Sequence, residues 1–131
     1  MMAQRRVGAA RTAEVGVATE RVAGEAALHL EREGERGPVV CLLHGFGGSA
    51  RNWRPQLRAL KEHARPAAFD VRGHARSEAP ADAAAYAPAR FVADVTRVLD
   101  HLGAERAVVG GLSMGAGLAA RFAAAHPERV Q

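Results

Sequence analysis

A chain of 131 residues with 48% hydrophobic content holds one modest domain and not two. Its 18 basic and 14 acidic residues leave a formal charge of +4, and the basic residues, all arginine except Lys61, are scattered among Glu and Asp without interleaved aromatics. That pattern argues against a nucleic-acid surface, and the lone Cys41 excludes an internal disulfide and fits a reducing compartment.

Residues 1–14 read as a flexible N-terminal segment, and 15–131 as the folded domain. Arg11, Glu14 and Glu20 interrupt any apolar run long enough for a signal peptide, and no stretch reaches the length of a transmembrane helix. Cytoplasmic residence without membrane attachment is the expectation. Weak alternation over 15–22 and 25–31, with Gly24 between, predicts an antiparallel hairpin. Residues 39–43 are continuously apolar, as a parallel strand covered on both faces requires. Cys41 lies inside that run, where packing accounts for it.

The strand runs into His44-Gly45-Phe46-Gly47-Gly48-Ser49. This glycine-rich loop has no Gly-Lys-Ser/Thr ending, so it is a poor nucleotide loop. It is better suited to turning backbone N–H groups toward a substrate oxygen. Ser49 or Asn52 then caps a helix with Trp53, Leu57 and Leu60 on its apolar face and Pro55 in its first turn. A second parallel strand is predicted over 67–71, a polar turn over 72–77, and a loop over 79–88. Phe91, Val92, Val95, Val98, Leu99 and Leu102 follow helical spacing, and Gly103 stops that helix.

Residues 106–110 predict another strand, followed by Gly111-Leu112-Ser113-Met114-Gly115 and an Ala-rich helix that is apolar on nearly every face and therefore expected to be buried. Strand, tight turn and helix in succession form the context of a nucleophile elbow. Small neighbours let the backbone pass close to itself and push the serine hydroxyl out, while the helix N-terminus favours an anion forming there. Ser113 is thus the candidate nucleophile. His126-Pro127 ends the helix, and residues 128–131 approach a further strand.

A serine nucleophile needs a base. His63, His101 and His126 fall at helix C-termini, where the helix dipole accounts for them, and His29 lies on the hairpin without an evident partner. His44 and His74 follow parallel strands, at the edge where open α/β sheets bind ligands, yet both read more naturally as structural hydrogen-bonders than as the base. No histidine spacing with Cys41 or clustered carboxylates suggests a metal, and no cofactor is implied.

His44-Gly45-Phe46-Gly47-Gly48-Ser49, Asp70-Val71-Arg72-Gly73-His74-Ala75-Arg76-Ser77, and the elbow followed by His126-Pro127-Glu128-Arg129-Val130 together resemble the N-terminal half of the α/β-hydrolase superfamily. The resemblance implies a partial α/β-hydrolase fold, a mostly parallel sheet with an N-terminal antiparallel hairpin, flanking helices, and no C-terminal half. It implies Ser113 as nucleophile and the backbone N–H groups of Phe46 and Met114 as oxyanion hole, with His44, Gly45 and Gly47 beside the substrate. Asp70, Arg72 and Gly73 would shape the adjoining turn without direct chemistry. Ala75 and Ala116 stand where the family commonly has glycine.

In this superfamily the triad acid and histidine follow the nucleophile in chain order. A chain ending at Gln131 is therefore expected to be the N-terminal fragment of a serine hydrolase working through an acyl-enzyme on an ester, lactone or related carbonyl substrate, and inactive alone. The strand before the elbow would lie in mid-sheet with an unfilled neighbour, an edge open to self-association. Two alternatives follow: a non-catalytic or partner-complemented module, and an acyltransferase using the same elbow.

Overall fold

The computed structural model describes residues 10–11 and 16–131. Most of the expected flexible segment 1–14 lies outside the described residues; Ala10–Arg11 form a two-residue strand, β1, paired antiparallel with Thr19 and Ala18. The predicted hairpin is β2 (Ala18–Val22) and β3 (Leu28–Arg32), in register from Ala18↔Arg32 to Val22↔Leu28. β4 (Val39–Leu43), β5 (Arg65–Phe69) and β6 (Ala107–Gly111) form the parallel part, with helices α1 (Arg54–Leu60), α2 (Pro88–His101) and α3 (Met114–Ala125) as connections and cover. The order across the sheet is β1-β2-β3-β5-β4-β6.

β4 is covered on both faces, as its continuous apolar run predicts. Val39, Cys41 and Leu43 join Val95, Val98 and Leu99 of α2 and Leu118 and Phe122 of α3 in the main core. On the other face Leu42 packs with Ala50, Trp53, Leu57 and Ala68, beneath α1. Each large apolar side chain so buried contributes about 1.5–3 kcal/mol. Burial pushes the Cys41 thiol up to about 12, so Cys41 packs and does not react.

Helix starts follow the predicted chemistry. The Ser49 side chain accepts from Arg51 N–H, and the Asn52 carbonyl accepts from Ser49 N–H, a reciprocal cap of the short 3₁₀ turn Ala50–Trp53 leading into α1. Pro55 sits in the first turn of α1, and Gly103, at φ +67°, follows α2. β5 starts earlier than predicted and ends at Phe69. Asp70 N–H turns to His29 O and Val71 N–H to the His44 ring, so neither continues the ladder with β4. The predicted loop 79–88 contains a 3₁₀ turn, Ala83–Tyr86, capped by Asp82.

α3 corrects one expectation. Only Gly115, Leu118 and Phe122 are buried, while Ala116, Gly117, Ala120 and Arg121 are exposed. β6 is the last strand of the sheet, so α3 packs over its margin and keeps one apolar flank uncovered. The predicted approach to a further strand is present: Val130 bridges Ala107 in parallel and Gln131 N–H donates to Ala107 O at 2.9 Å. The rest of that edge is unpaired among the described residues, with Val108 40% exposed.

Candidate active site

β4 and β6 end side by side, in register from Val39↔Ala107 to Leu43↔Gly111, and Leu112 N–H donates to Leu43 O at 3.1 Å. The chain must then reverse into α3 within one residue. Ser113 makes that reversal at φ +54°, ψ −113°, a backbone state a non-glycine residue holds only when its surroundings force it, at a cost of about 1–3 kcal/mol. The flanking glycines are required by close approach. A Cβ on Gly111 would lie 2.3 Å from the Gly115 carbonyl, and one on Gly115 would lie 2.1 Å from Leu43 O. Gly-x-Ser-x-Gly is therefore a packing solution that brings strand, turn and helix N-terminus together and leaves Ser113 exposed.

The loop after β4 abuts the elbow. A Cβ on Gly45 would meet Ser113 Cβ at 3.6 Å and Leu112 O at 3.4 Å. Gly48 N–H donates to Gly45 O at 2.9 Å across a four-residue turn whose third residue, Gly47, has φ +78°, as a type II turn demands. Phe46 occupies the second position. The N–H groups of Phe46 and Met114 have no hydrogen-bond partner among the described residues, so both donors expected of the oxyanion hole are open. The Phe46 and Leu112 side chains, 86% and 62% exposed, make an apolar margin beside Ser113.

His44 is placed differently from the expectation that it lines the pocket. Its side chain is buried beneath the loop. Nε2 accepts from Val71 N–H at 2.9 Å, so Nδ1 carries the proton and donates to Gly45 O at 2.7 Å. Burial holds its pKa below the usual imidazole value, and the neutral form is the one this network needs. With its lone pair committed to Val71, His44 cannot be the base. Ser113 Oγ has no hydrogen-bond partner among the described residues, and four other histidines are engaged elsewhere: His101 with Glu20, His126 with Glu128, His29 with Arg76, and His74 with Arg72 O.

The turn after β5 holds its shape through buried polar groups. Asp70 accepts from Ala50 N–H at 2.7 Å and Arg76 N–H at 3.0 Å. Arg72 forms a two-pronged pair with Asp94 of α2, both bonds 2.7 Å and both residues buried, and reaches Ala85 O as well. This pair was missed in the sequence, although Asp94 sits on the apolar stripe of Phe91, Val95 and Val98, a position that calls for a buried cation. Glu31 is equally buried; burial favours its neutral form, but His29 and Arg54 outweigh that and hold its pKa at about 2. The Glu33-, Arg36-, Lys61- and Arg65-lined cleft opens at the opposite end of the parallel strands and offers no nucleophile. Ligands of such sheets bind at the carboxyl ends, where Ser113 lies.

Comparison with known proteins agrees with this architecture. The model of the alpha/beta hydrolase fold matches residues 38–131. This chain belongs to the α/β-hydrolase family. It is 45% identical over 96 residues to Epoxide hydrolase B of Mycobacterium tuberculosis, covering 72% of this chain and 27% of that protein. It is 41% identical over 105 residues to a putative carbamate hydrolase, RutD, of Variovorax paradoxus, covering 79% and 39%. Among solved structures, an epoxide hydrolase from an endophytic Streptomyces superimposes with a TM-score of 0.85 at 41% identity, over 89% of this chain and 36% of that one. The chain thus spans less than half the length of these α/β-hydrolases. No helix among the described residues is long and apolar enough to cross a membrane.

Proposed function

We propose that Ser113 is the nucleophile of a hydrolase acting on an ester, lactone, carbamate or similar acyl compound. Oγ adds to the carbonyl carbon, the oxyanion is received by the Phe46 and Met114 N–H groups, and collapse expels the leaving group to give an acyl-Ser113 ester that water cleaves. The observation that carries this reading is Ser113 itself, exposed at φ +54° at the head of α3, with the N–H groups of the next residue, Met114, and of Phe46 in the adjoining loop both open. The apolar margin of Phe46 and Leu112 favours an uncharged, apolar substituent on the acyl side. The proton of Oγ needs a base, and we assign that base and its acid partner to the part of the family fold that this chain does not span.

The epoxide hydrolases among the relatives supply a second reading, ring opening at an epoxide carbon. Ser113 fits it poorly. A serine oxygen that opened an epoxide would leave an ether, with no carbonyl for water to attack, and the enzyme would stop after one event; an acyl ester does not have this defect. Side-by-side turnover of p-nitrophenyl butyrate and styrene oxide by the native protein separates the two. Ester hydrolysis abolished by Ser113→Ala is expected, whereas epoxide turnover without ester turnover would overturn the proposal.

A further inference from the structure

The loop that presents the Phe46 N–H has little to hold it. Phe46 is flanked by Gly45 and Gly47, and its side chain is 86% exposed. Two histidine rings compensate. His44 fixes the turn from below, because its Nδ1–H and the Gly48 N–H converge on Gly45 O at 2.7 and 2.9 Å. His74 completes the support from the side: its ring meets His44 edge-on, centroids 5.0 Å apart at 62°, and Phe46 edge-on, 5.6 Å apart at 88°. Edge-to-face contacts at these separations are attractive and directional.

His74 is itself held firmly. Its N–H donates to Val71 O at 2.9 Å, its carbonyl accepts from Ser77 N–H at 3.1 Å, and its Nδ1 lies 3.3 Å from Arg72 O. The next residue, Ala75, adopts φ +46°, a strained state for alanine. Asp70 ties the far side of the turn to Ala50 and Arg76, and Ser77 Oγ donates to Asp70 O. A backbone that accepts strain at Ala75 and is braced at both ends keeps the His74 ring at one place, against Phe46, the one side chain of the turn 45–48.

We infer that His74 is a positioning residue for the oxyanion donor, acting through the ring ladder His44–His74–Phe46 to hold the Phe46 peptide in the orientation Ser113 chemistry needs. The inference deepens the function proposed above and rests on it for its catalytic part. The sequence favours a structural hydrogen-bonder over a base at His74, and its ring contacts with His44 and Phe46 give that structural role a place beside the site.

The test compares His74→Ala and His74→Phe in the native protein by two readouts. Backbone amide hydrogen exchange reports the loop: His74→Ala should accelerate exchange at 46–48 while leaving α2 and α3 unchanged, and His74→Phe should restore it. Hydrolysis of p-nitrophenyl butyrate reports the chemistry: His74→Ala should lower kcat roughly tenfold with KM little changed, less than the roughly 10²–10³-fold lost with a whole oxyanion donor. Unchanged exchange at 46–48 in His74→Ala overturns the inference, as does a kcat loss that His74→Phe fails to rescue while exchange stays normal. Accelerated exchange in a protein whose ester turnover survives Ser113→Ala supports the positioning role and overturns the nucleophile assignment instead.

Discussion

Gly115 and Gly117 lie on the same helix, and the same substitution should move stability in opposite directions at the two positions. A Cβ on Gly115 would sit 2.1 Å from Leu43 O, 2.6 Å from Leu43 C and 2.7 Å from His44 O, all backbone atoms of the end of β4 that no rotamer change can move. Carbon and carbonyl oxygen rarely approach closer than about 3.3 Å, so α3 and β4 must part by roughly 1 Å. Overpacking costs about 1–3 kcal/mol, and three contacts this short with backbone atoms put it at the upper end, about 2–3 kcal/mol, against about 1 kcal/mol that alanine returns through helix propensity. Gly115→Ala should therefore lose about 1–2 kcal/mol. A Cβ on Gly117 meets nothing within 4 Å, so Gly117→Ala should gain about 0.5–1 kcal/mol from propensity alone. Urea unfolding followed by the fluorescence of Trp53, the single tryptophan, measures both. Since the same 1 Å would displace Ser113 from the Phe46 loop, Gly115→Ala should also lose up to about 10²-fold in kcat. A Gly115→Ala protein as stable as the parent would refute the close packing on which the elbow rests.

Ala75→Gly should stabilise by about 0.5–1 kcal/mol, because removing the left-handed penalty at φ +46° outweighs the added freedom of the unfolded chain; a lowered urea midpoint would contradict this. Asp94→Ala leaves Arg72 buried without its carboxylate and should cost about 3–5 kcal/mol, read as a drop in the same midpoint; a loss under about 1 kcal/mol would mean that Ala85 O and solvent suffice. Glu31, held at about 2 in the fold against the ordinary glutamate value of 4.5, adds stability that is fully present above about pH 4.5 and lost as pH falls toward 2. The ceiling on that contribution is about 3 kcal/mol, and Glu31→Gln should flatten the acid limb of stability against pH; an unaltered limb would place the acid sensitivity elsewhere.

Much of the site was legible because its residues are local. Ser113 with its two glycines, the capping pair Ser49 and Asn52, and the turn through Gly47 are each set by neighbours a few positions away, and the apolar run of β4 announces its depth without any partner. What the sequence hid depends on distant partners. Arg72 and Asp94 meet across the turn between β5 and α2, and Glu31 is buried on a strand whose alternation would expose it, because Arg54 arrives from α1. The committed lone pair of His44 needs Val71 N–H, which the ladder would otherwise take. The exposure of α3 escaped composition altogether, since it follows from the rank of β6 in the sheet and not from any residue of the helix.

The most direct test is to trap the intermediate. The native protein is mixed with p-nitrophenyl butyrate, quenched in acid within the first turnover, digested and mapped by mass. The account predicts one butyryl group on the peptide containing Ser113, absent from Ser113→Ala; turnover that proceeds with no acyl group on that peptide, or with one on another residue, would contradict it.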